Sequence, residues 1–147
     1  MSEVAIRIAV ESLELSRSKA LTGEICFEVG EVYFPDQRWN DFVVVILNWW
    51  IKAVSRIKNS KNGVSEELLF MDGPYLVRAC KTNQCLMHME FIKRALDGEE
   101  VFLSVDCDIN KFTESLVESA KRLLKEIENR KWEVRELEKL RVGVDSI

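Results

Sequence analysis

Apolar residues between positions 39 and 57 recur with the period of an α-helix. At 100° per residue most of them fall within an arc of about 160°, while Asp41, Asn48 and Lys52 gather on the opposite side. The stretch without charge covers only residues 42–51, whereas a helix needs about 20 apolar residues to cross a bilayer. The pattern therefore predicts a helix buried in a protein core, capped by Asn40 or Asp41 and ending at residues 60–63.

Strand periodicity precedes this helix. Apolar residues alternate with other side chains at residues 4–10 and again at 25–29, and the alternation slips after each run, in the second at Gly30. A turn near Lys19 would place residues 10–12 opposite residues 28–30, so that both slips fall at one level. We therefore predict a β-hairpin with a bulge at that level.

Four further apolar runs lie between residues 66 and 108, and turn-forming residues at 72–74, 81–84 and 96–98 separate them. This spacing is typical of an antiparallel meander. From residue 110 to 142, apolar residues such as Leu116, Ala120 and Leu123 recur at helical spacing, and the second half is more polar. The order is ββ-α-ββββ-α. It predicts a single α+β domain over residues 1–147, with one antiparallel sheet of about six strands and two helices packed on it.

The register of the meander follows from matching apolar residues across strands. Tyr75, Val77 and Ala79 then lie opposite Phe91, Met89 and Met87, which in turn lie opposite Leu103, Val105 and Cys107. This face carries no charge, and we expect the helices to pack on it. Cys80 and Cys85 would point to opposite faces of the sheet, which disfavours a disulfide between them.

The other face of the meander mixes charged and apolar residues. The same register sets Arg78, His88 and Asp106 in one row across three strands, with Glu90, Ser104 and Asp108 beside them. We expect this face also to carry five large apolar residues: Leu68, Phe70, Leu76, Leu86 and Phe102.

Charge and composition narrow the classes of function. Apolar residues make up 47% of the chain and charged residues 31%, with a net charge of −4, as in an ordinary globular protein. An acidic chain does not suit binding to nucleic acid or to anionic lipid, both of which attract basic patches. The first residues lack the basic lead and unbroken apolar run of a secretory signal, and the four cysteines are far apart. We therefore expect a cytoplasmic protein with reduced thiols.

Two kinds of small-molecule chemistry stay open. His88 is the only histidine, and Asp106 and Arg78 beside it would allow a small hydrolytic or phosphate-handling site. Trp39, Trp49 and Trp50 could line a ligand pocket, although aromatic residues at helical spacing usually belong to a core. No nucleophile motif or phosphate-binding loop is present. Asp106 and Asp108 with His88 or Glu90 offer too few ligands on a flat sheet for a metal site. We predict no cofactor and no metal.

A protein-binding role explains the mixed face better, because large apolar residues among charges are typical of an interaction surface. We predict that Arg78, His88, Glu90, Phe102, Asp106 and Asp108 contribute to it. The partner would be a basic protein or a second copy of the chain.

The segments W-N-D-F…W-W at 39–50 and F-M-D-G-P-Y at 70–75, in a short acidic α+β chain, resemble the small uncharacterised bacterial proteins that include immunity proteins of polymorphic toxin systems. That resemblance implies neutralisation of a toxin by binding, without catalysis.

Overall fold

The computed structural model describes residues 2–147, in which eight β-strands and three α-helices form. The strands are β1 (Val4–Leu15), β2 (Leu21–Val29), β3 (Val32–Phe34), β4 (Asn40–Phe42), β5 (Ser65–Leu69), β6 (Tyr75–Lys81), β7 (Leu86–Ala95) and β8 (Gly98–Asp108). The helices are α1 (Val43–Lys58), α2 (Ile109–Asn129) and α3 (Leu137–Ser146). None of the helices in this part of the chain has the length and apolar character needed to cross a membrane.

The α+β class and the antiparallel pairing are confirmed, but the single sheet of about six strands is wrong. Two sheets form, each of four strands. In the first sheet β1 pairs with β2, and the short strands β3 and β4 pair with opposite ends of β2. In the second sheet the order is β5-β6-β7-β8. Strands of three residues, such as β3 and β4, are too short to show an alternation of their own.

The first hairpin has its bulge at another level than predicted. Ala9 lies opposite Glu24 and Glu14 opposite Thr22, so the extra residues of β1 face Gly23. Gly23 fits because a side chain there would meet Leu13 at 2.7 Å. Gly30, at φ +60°, instead forms the tight turn from β2 to β3. The break in alternation at Gly30 therefore marks a hairpin turn and not a β-bulge.

Helix α1 is confirmed as a core helix, but it starts later than predicted and neither Asn40 nor Asp41 caps it. Residues 40–42 form β4, and the cap position is Phe42, which makes no side-chain hydrogen bond there. The flank that carries Val44 and Ile51 is buried, and α3 packs against α1 so closely that a Cβ at Gly143 would meet Ile51 at 3.3 Å. The helix is enclosed on more sides than its own pattern indicates.

The C-terminal segment is two helices rather than one. Helix α2 stops at Asn129, and Lys131 and Glu136 adopt positive φ angles of 57° and 62° before α3. The chain thereby changes direction, and the sparse apolar residues of the second half, such as Leu140, become buried against α1 and α2.

The core of the molecule joins both sheets through an aromatic cluster around Phe27 of β2. Its ring lies 4.6 Å from that of Trp50 in α1, 5.9 Å from Phe91 in β7 and 6.1 Å from Phe112 in α2. The two sheets and the two longer helices thus share one continuous core.

The register of the second sheet is partly as predicted. The pairing of β7 with β8 is confirmed, with Met89 opposite Val105 and Met87 opposite Cys107. The pairing of β6 with β7 is shifted by two residues, so that Val77 lies opposite Phe91 rather than Met89. A shift of two leaves every side chain of β6 on its predicted face but changes its neighbours on β7.

Candidate functional site

The candidate site is the face of the second sheet that points away from the helices, which we call the outer face. Helices α1 and α2 pack on the opposite face, which is largely apolar. The prediction that this face carries no charge is wrong, because Lys81 lies opposite Met87 and Glu66 opposite Ala79. Strand pairing arranges the outer face in three rows, each with one residue from each of β5, β6, β7 and β8. The rows are Leu69, Leu76, Ile92 and Val101; Glu67, Arg78, Glu90 and Ser104; and Ser65, Cys80, His88 and Asp106.

The pair predicted from the sequence, His88 and Asp106, is present. The imidazole Nδ1 lies 2.7 Å from a carboxylate oxygen of Asp106, and the two side chains are 44% and 62% exposed. The two residues lie directly opposite each other on β7 and β8. The pair is therefore an open surface contact, in which the carboxylate can orient the ring but does not withdraw it from water.

Arg78 is not the neighbour of His88 that the predicted row required. The two-residue shift places Cys80 opposite His88 and moves Arg78 opposite Glu90. The sequence reasoning placed no cysteine beside the histidine, and the structure brings Cys80, His88 and Asp106 into one row of three adjacent strands. Matching apolar residues could not separate the two registers, because both keep the same residues on the apolar face.

Arg78 belongs instead to a four-member ionic network on the outer face. Its guanidinium donates to Glu67 at 2.9 Å and to both oxygens of Glu99 at 2.8 and 2.9 Å. Arg94 donates to the same two carboxylates, at 2.9 Å to Glu67 and 3.2 Å to Glu99. Hydrogen bonds from Arg78 lower the pKa of Glu99 to about 2, and those from Arg94 add to the effect. The network links all four strands of the sheet.

Sequence reasoning missed Glu67, Glu99 and Arg94 as members of this network. The only sequence feature that pointed to them was that, as alternate residues of their strands, they lie on the same face as Arg78. Glu99 follows the β7–β8 turn directly, and its side chain reaches past the apolar row to Arg78.

Beside this network lies the apolar row. Leu76 and Ile92 are buried although they stand outside the main core, whereas Leu69 and Val101 at the ends of the row are exposed. Long arginine side chains can cover apolar surface while their charged ends stay in water. The row thus presents an exposed aliphatic residue at each margin of the sheet.

Several residues predicted for the outer face lie elsewhere. Leu68 lies opposite Val77 and belongs to the core face, and Phe70, which follows β5, packs against Phe27 in the core. Phe102 is the residue displaced by a bulge in β8, where Phe91 lies opposite Leu103 and Ile92 opposite Val101. It leans on Phe34 with ring centres 6.3 Å apart and remains 53% exposed.

The remaining predicted residues have identifiable positions. Glu90 and the half-buried Leu86 lie on the outer face, and Asp108 caps α2 by accepting a hydrogen bond from the Lys111 N–H at 2.9 Å. All four cysteines are free thiols. Burial raises the pKa of Cys26 to about 11 and that of Cys107 to about 12, so neither is a ready nucleophile.

The segments at residues 39–50 and 70–75 meet at Asp41. This buried carboxylate accepts hydrogen bonds from the Trp39 indole at 3.1 Å, from the Phe42 N–H at 2.7 Å and from the Asp72 N–H at 3.2 Å. Burial raises the pKa of Asp41, while these hydrogen bonds oppose the rise. Gly73 lies against Trp39, leaving only 2.8 Å for an added Cβ.

The three tryptophans of the α1 region have different surroundings. Trp50 is fully buried and donates to the Leu69 carbonyl at 2.7 Å, Trp39 packs edge-on against Tyr75, and Trp49 is exposed. Their positions are explained by packing.

A groove of about 660 Å³ runs between β1 and α2 and includes Arg7, Asp108, Lys111 and Arg122 in its wall. Within residues 2–147, no group of three or more His, Cys, Asp or Glu side chains has an arrangement suited to a metal ion.

Comparison with known proteins adds no relative: no protein-family model matches the chain, and neither a curated protein nor a solved structure shows significant similarity to it.

Proposed function

We propose that this protein is a non-catalytic binding module whose outer face binds another protein. The observation that carries the proposal is that this face, which lies opposite the one on which α1 and α2 pack, exposes the apolar residues Leu69 and Val101 together with the charged Asp106. Protein interfaces combine apolar contacts with polar and charged groups around them.

Charge indicates the kind of partner. Arg78 and Arg94 are both occupied by Glu67 and Glu99. Within residues 2–147, Glu90 and Asp106 have no arginine or lysine partner, so they leave the face acidic. An acidic face favours a basic partner, because complementary charge speeds association and excludes wrong partners. The resemblance to immunity proteins makes this more specific: the partner would be a basic toxin, which binding neutralises in the cytoplasm.

The proposal is tested by one charge reversal on the outer face and a matched reversal elsewhere. Glu90→Arg changes the face, while Glu118→Arg makes the same change on the exposed side of α2. With an affinity-tagged chain expressed in its natural host, we expect the wild type and E118R to recover the same partner and E90R to lose it. Equal recovery by E90R would contradict the proposal. Sedimentation of the purified chain distinguishes a second copy from a different protein as the partner.

The gene neighbourhood gives an independent check on the toxin. A large toxin gene directly upstream would support neutralisation, and co-expression with that toxin should then restore growth with E118R but not with E90R. A metabolic operon would favour an enzyme or a ligand-binding protein.

The second candidate is a small hydrolytic or phosphate-handling enzyme that uses His88 with Asp106. The 2.7 Å contact between the two side chains favours it, since a carboxylate that orients a histidine is a common element of acid–base sites. His88→Ala separates the two functions, because it should abolish turnover in an enzyme but only weaken an interface.

A further inference from the structure

The outer strands of the two sheets differ in whether helix side chains bond to their free backbone groups. In the first sheet they do. Strand β1 is the outer strand of its sheet, and α2 lies along it. Ser115 accepts from the Ile6 N–H at 3.0 Å, Ser119 donates to the Ile6 carbonyl at 3.2 Å, and Arg130 donates to the Val10 carbonyl at 3.1 Å. Side chains of the helix thus satisfy backbone groups that would otherwise be open to another strand.

Strand β8 forms the longer outer edge of the second sheet, and within residues 2–147 no helix side chain bonds to its backbone. It is the last strand in the order β5-β6-β7-β8 and has 11 residues. The Asp106 carbonyl accepts a hydrogen bond from the Ser2 N–H at 2.8 Å, so it points away from β7. Because successive residues of a strand alternate in direction, the N–H and carbonyl of Ser104 point to the same free edge. Its side chain is exposed as well.

Side chains along β8 define what would fit this edge. Leu103 and Val105 are half-buried on the core side, next to the exposed Phe102. On the outer side Asp106 is exposed. An added strand would therefore meet apolar residues on one face and carboxylate on the other.

A second copy of β8 is a poor match for this edge. The strand contains Glu99, Glu100, Asp106 and Asp108 and no lysine or arginine. Pairing two such strands brings like charges together, which is destabilising. A basic segment from another protein has the complementary charge.

We propose that β8 is the docking edge of this protein, and that it accepts an extended segment of a partner in which basic and apolar residues alternate. The segment adds an antiparallel or parallel strand to the second sheet. Its backbone bonds to Ser104, its apolar side chains cover Leu103 and Val105, and its basic side chains lie beside Asp106. This inference rests on the protein-binding function proposed above and specifies the form of the partner.

The probe for this edge is a short peptide that alternates lysine with valine and has blocked ends. In ¹⁵N NMR titrations of the full chain, we expect shifts concentrated in residues 101–106 and slower hydrogen exchange of the Ser104 amide. Two further versions of this peptide carry N-methyl groups on alternate residues, one version on the lysines and the other on the valines. Each keeps its side chains but loses the N–H groups along one edge, and we expect only one of the two to bind. A peptide with glutamate in place of lysine tests the charge, and it should not bind.

Two variants locate the binding. Ser104→Pro removes the edge N–H without removing a hydrogen bond to β7, and we expect it to weaken the peptide by about tenfold or more. Asp106→Asn keeps the backbone intact and should weaken the lysine peptide less, with a smaller salt dependence. If S104P does not fold, D106N and the N-methylated peptides still decide the question.

Absence of peptide binding, equal binding of both N-methylated peptides, or shifts away from β8 would each overturn the proposal. Failure of the proposed function has a different signature. If the natural partner is lost with S104P but is unaffected by E90R, the outer face fails as the binding surface while the edge stands. If the natural partner depends on Glu90 and the peptide does not bind, the edge fails while the outer face stands.

Discussion

At the scale of single residues, Asp41 shows how one buried carboxylate holds distant segments together. Its hydrogen bond to the Asp72 N–H spans 31 residues, and its bonds to Trp39 and Phe42 fix the strand before α1. The sequence offered Asp41 as a helix cap, which is the usual role of an aspartate at such a position. The helix starts after it, so the carboxylate is free to bind across the fold.

Replacing Asp41 with alanine should therefore destabilise the protein. Three donors would lose their acceptor in a buried site, and a buried unsatisfied donor costs about 1–3 kcal/mol. We expect Asp41→Ala to lower the free energy of unfolding in urea by about 2–4 kcal/mol, whereas Asp145→Ala, at an exposed site, should change it by less than about 0.5 kcal/mol. Equal urea midpoints for the two variants would show that the hydrogen bonds of Asp41 do not stabilise the fold.

The pair of His88 and Asp106 shows what residue patterns can predict. Both residues sit in strongly alternating strands, and matching Met87, Met89 and Phe91 to the apolar residues of β8 gave their pairing correctly. Arg78 was placed beside His88 by the same reasoning and is two residues away. In β6 the apolar residues fit either register, so matching apolar residues could not decide between them.

At the scale of elements, Lys81 ties β6 to the end of α1. Its buried ammonium donates to the Lys58 carbonyl at 3.0 Å and to the Ser60 carbonyl at 2.9 Å. Carbonyl groups at the C-terminus of a helix lack partners within the helix, and a cation there satisfies them. The sequence places Lys81 in a predicted turn and does not indicate this contact, because β6 and the end of α1 meet only in the tertiary structure.

The ionic network of the outer face should give the protein a pH-dependent stability. The pKa of Glu99 is lowered to about 2 from an ordinary value of 4.5, chiefly by Arg78. A lowered pKa in the folded state means that the stabilisation is complete above 4.5 and is lost as the pH falls towards 2. The difference in unfolding free energy between the wild type and Glu99→Gln should therefore be largest near neutral pH and shrink between pH 4.5 and 2.

Arg78→Met provides the matched background for this measurement. Without Arg78, the pKa of Glu99 should return most of the way to its ordinary value. The difference in unfolding free energy between R78M and the double variant R78M/E99Q should therefore vary much less with pH. An undiminished pH dependence in that background would assign the lowered pKa to another group.

At the scale of the whole molecule, Phe27 connects the two sheets. Its ring packs against rings from α1, α2 and β7, so it contributes to the core on which both sheets depend. Phe27→Ala should lower the free energy of unfolding by about 3–5 kcal/mol, whereas Phe102→Ala, at a half-exposed ring, should cost at most about 1 kcal/mol.

Hydrogen exchange tests whether the core is shared. In F27A, amides of Ile25 in the first sheet and Met89 in the second should lose protection by the same amount, because both exchange through unfolding of one core. Loss of protection at Ile25 alone would show that the second sheet is stable by itself.

The sequence by itself determined the identity of most elements and the face on which most residues of the second sheet lie. Those features depend on local periodicity, which the alternation in β7 and β8 and the helical spacing in α1 and α2 express strongly. Turn residues between the strands fixed where each run ends.

Only the tertiary structure decided how the elements combine. The first sheet has four strands because β3 and β4 pair with β2, and the break between α2 and α3 allows Leu140 to enter the core. The partners of Asp41, Arg78 and Lys81 lie in elements far away in the chain. Periodicity acts over a few neighbouring residues, whereas these choices minimise exposed apolar area and unpaired polar groups over the whole chain, so no local pattern contains them.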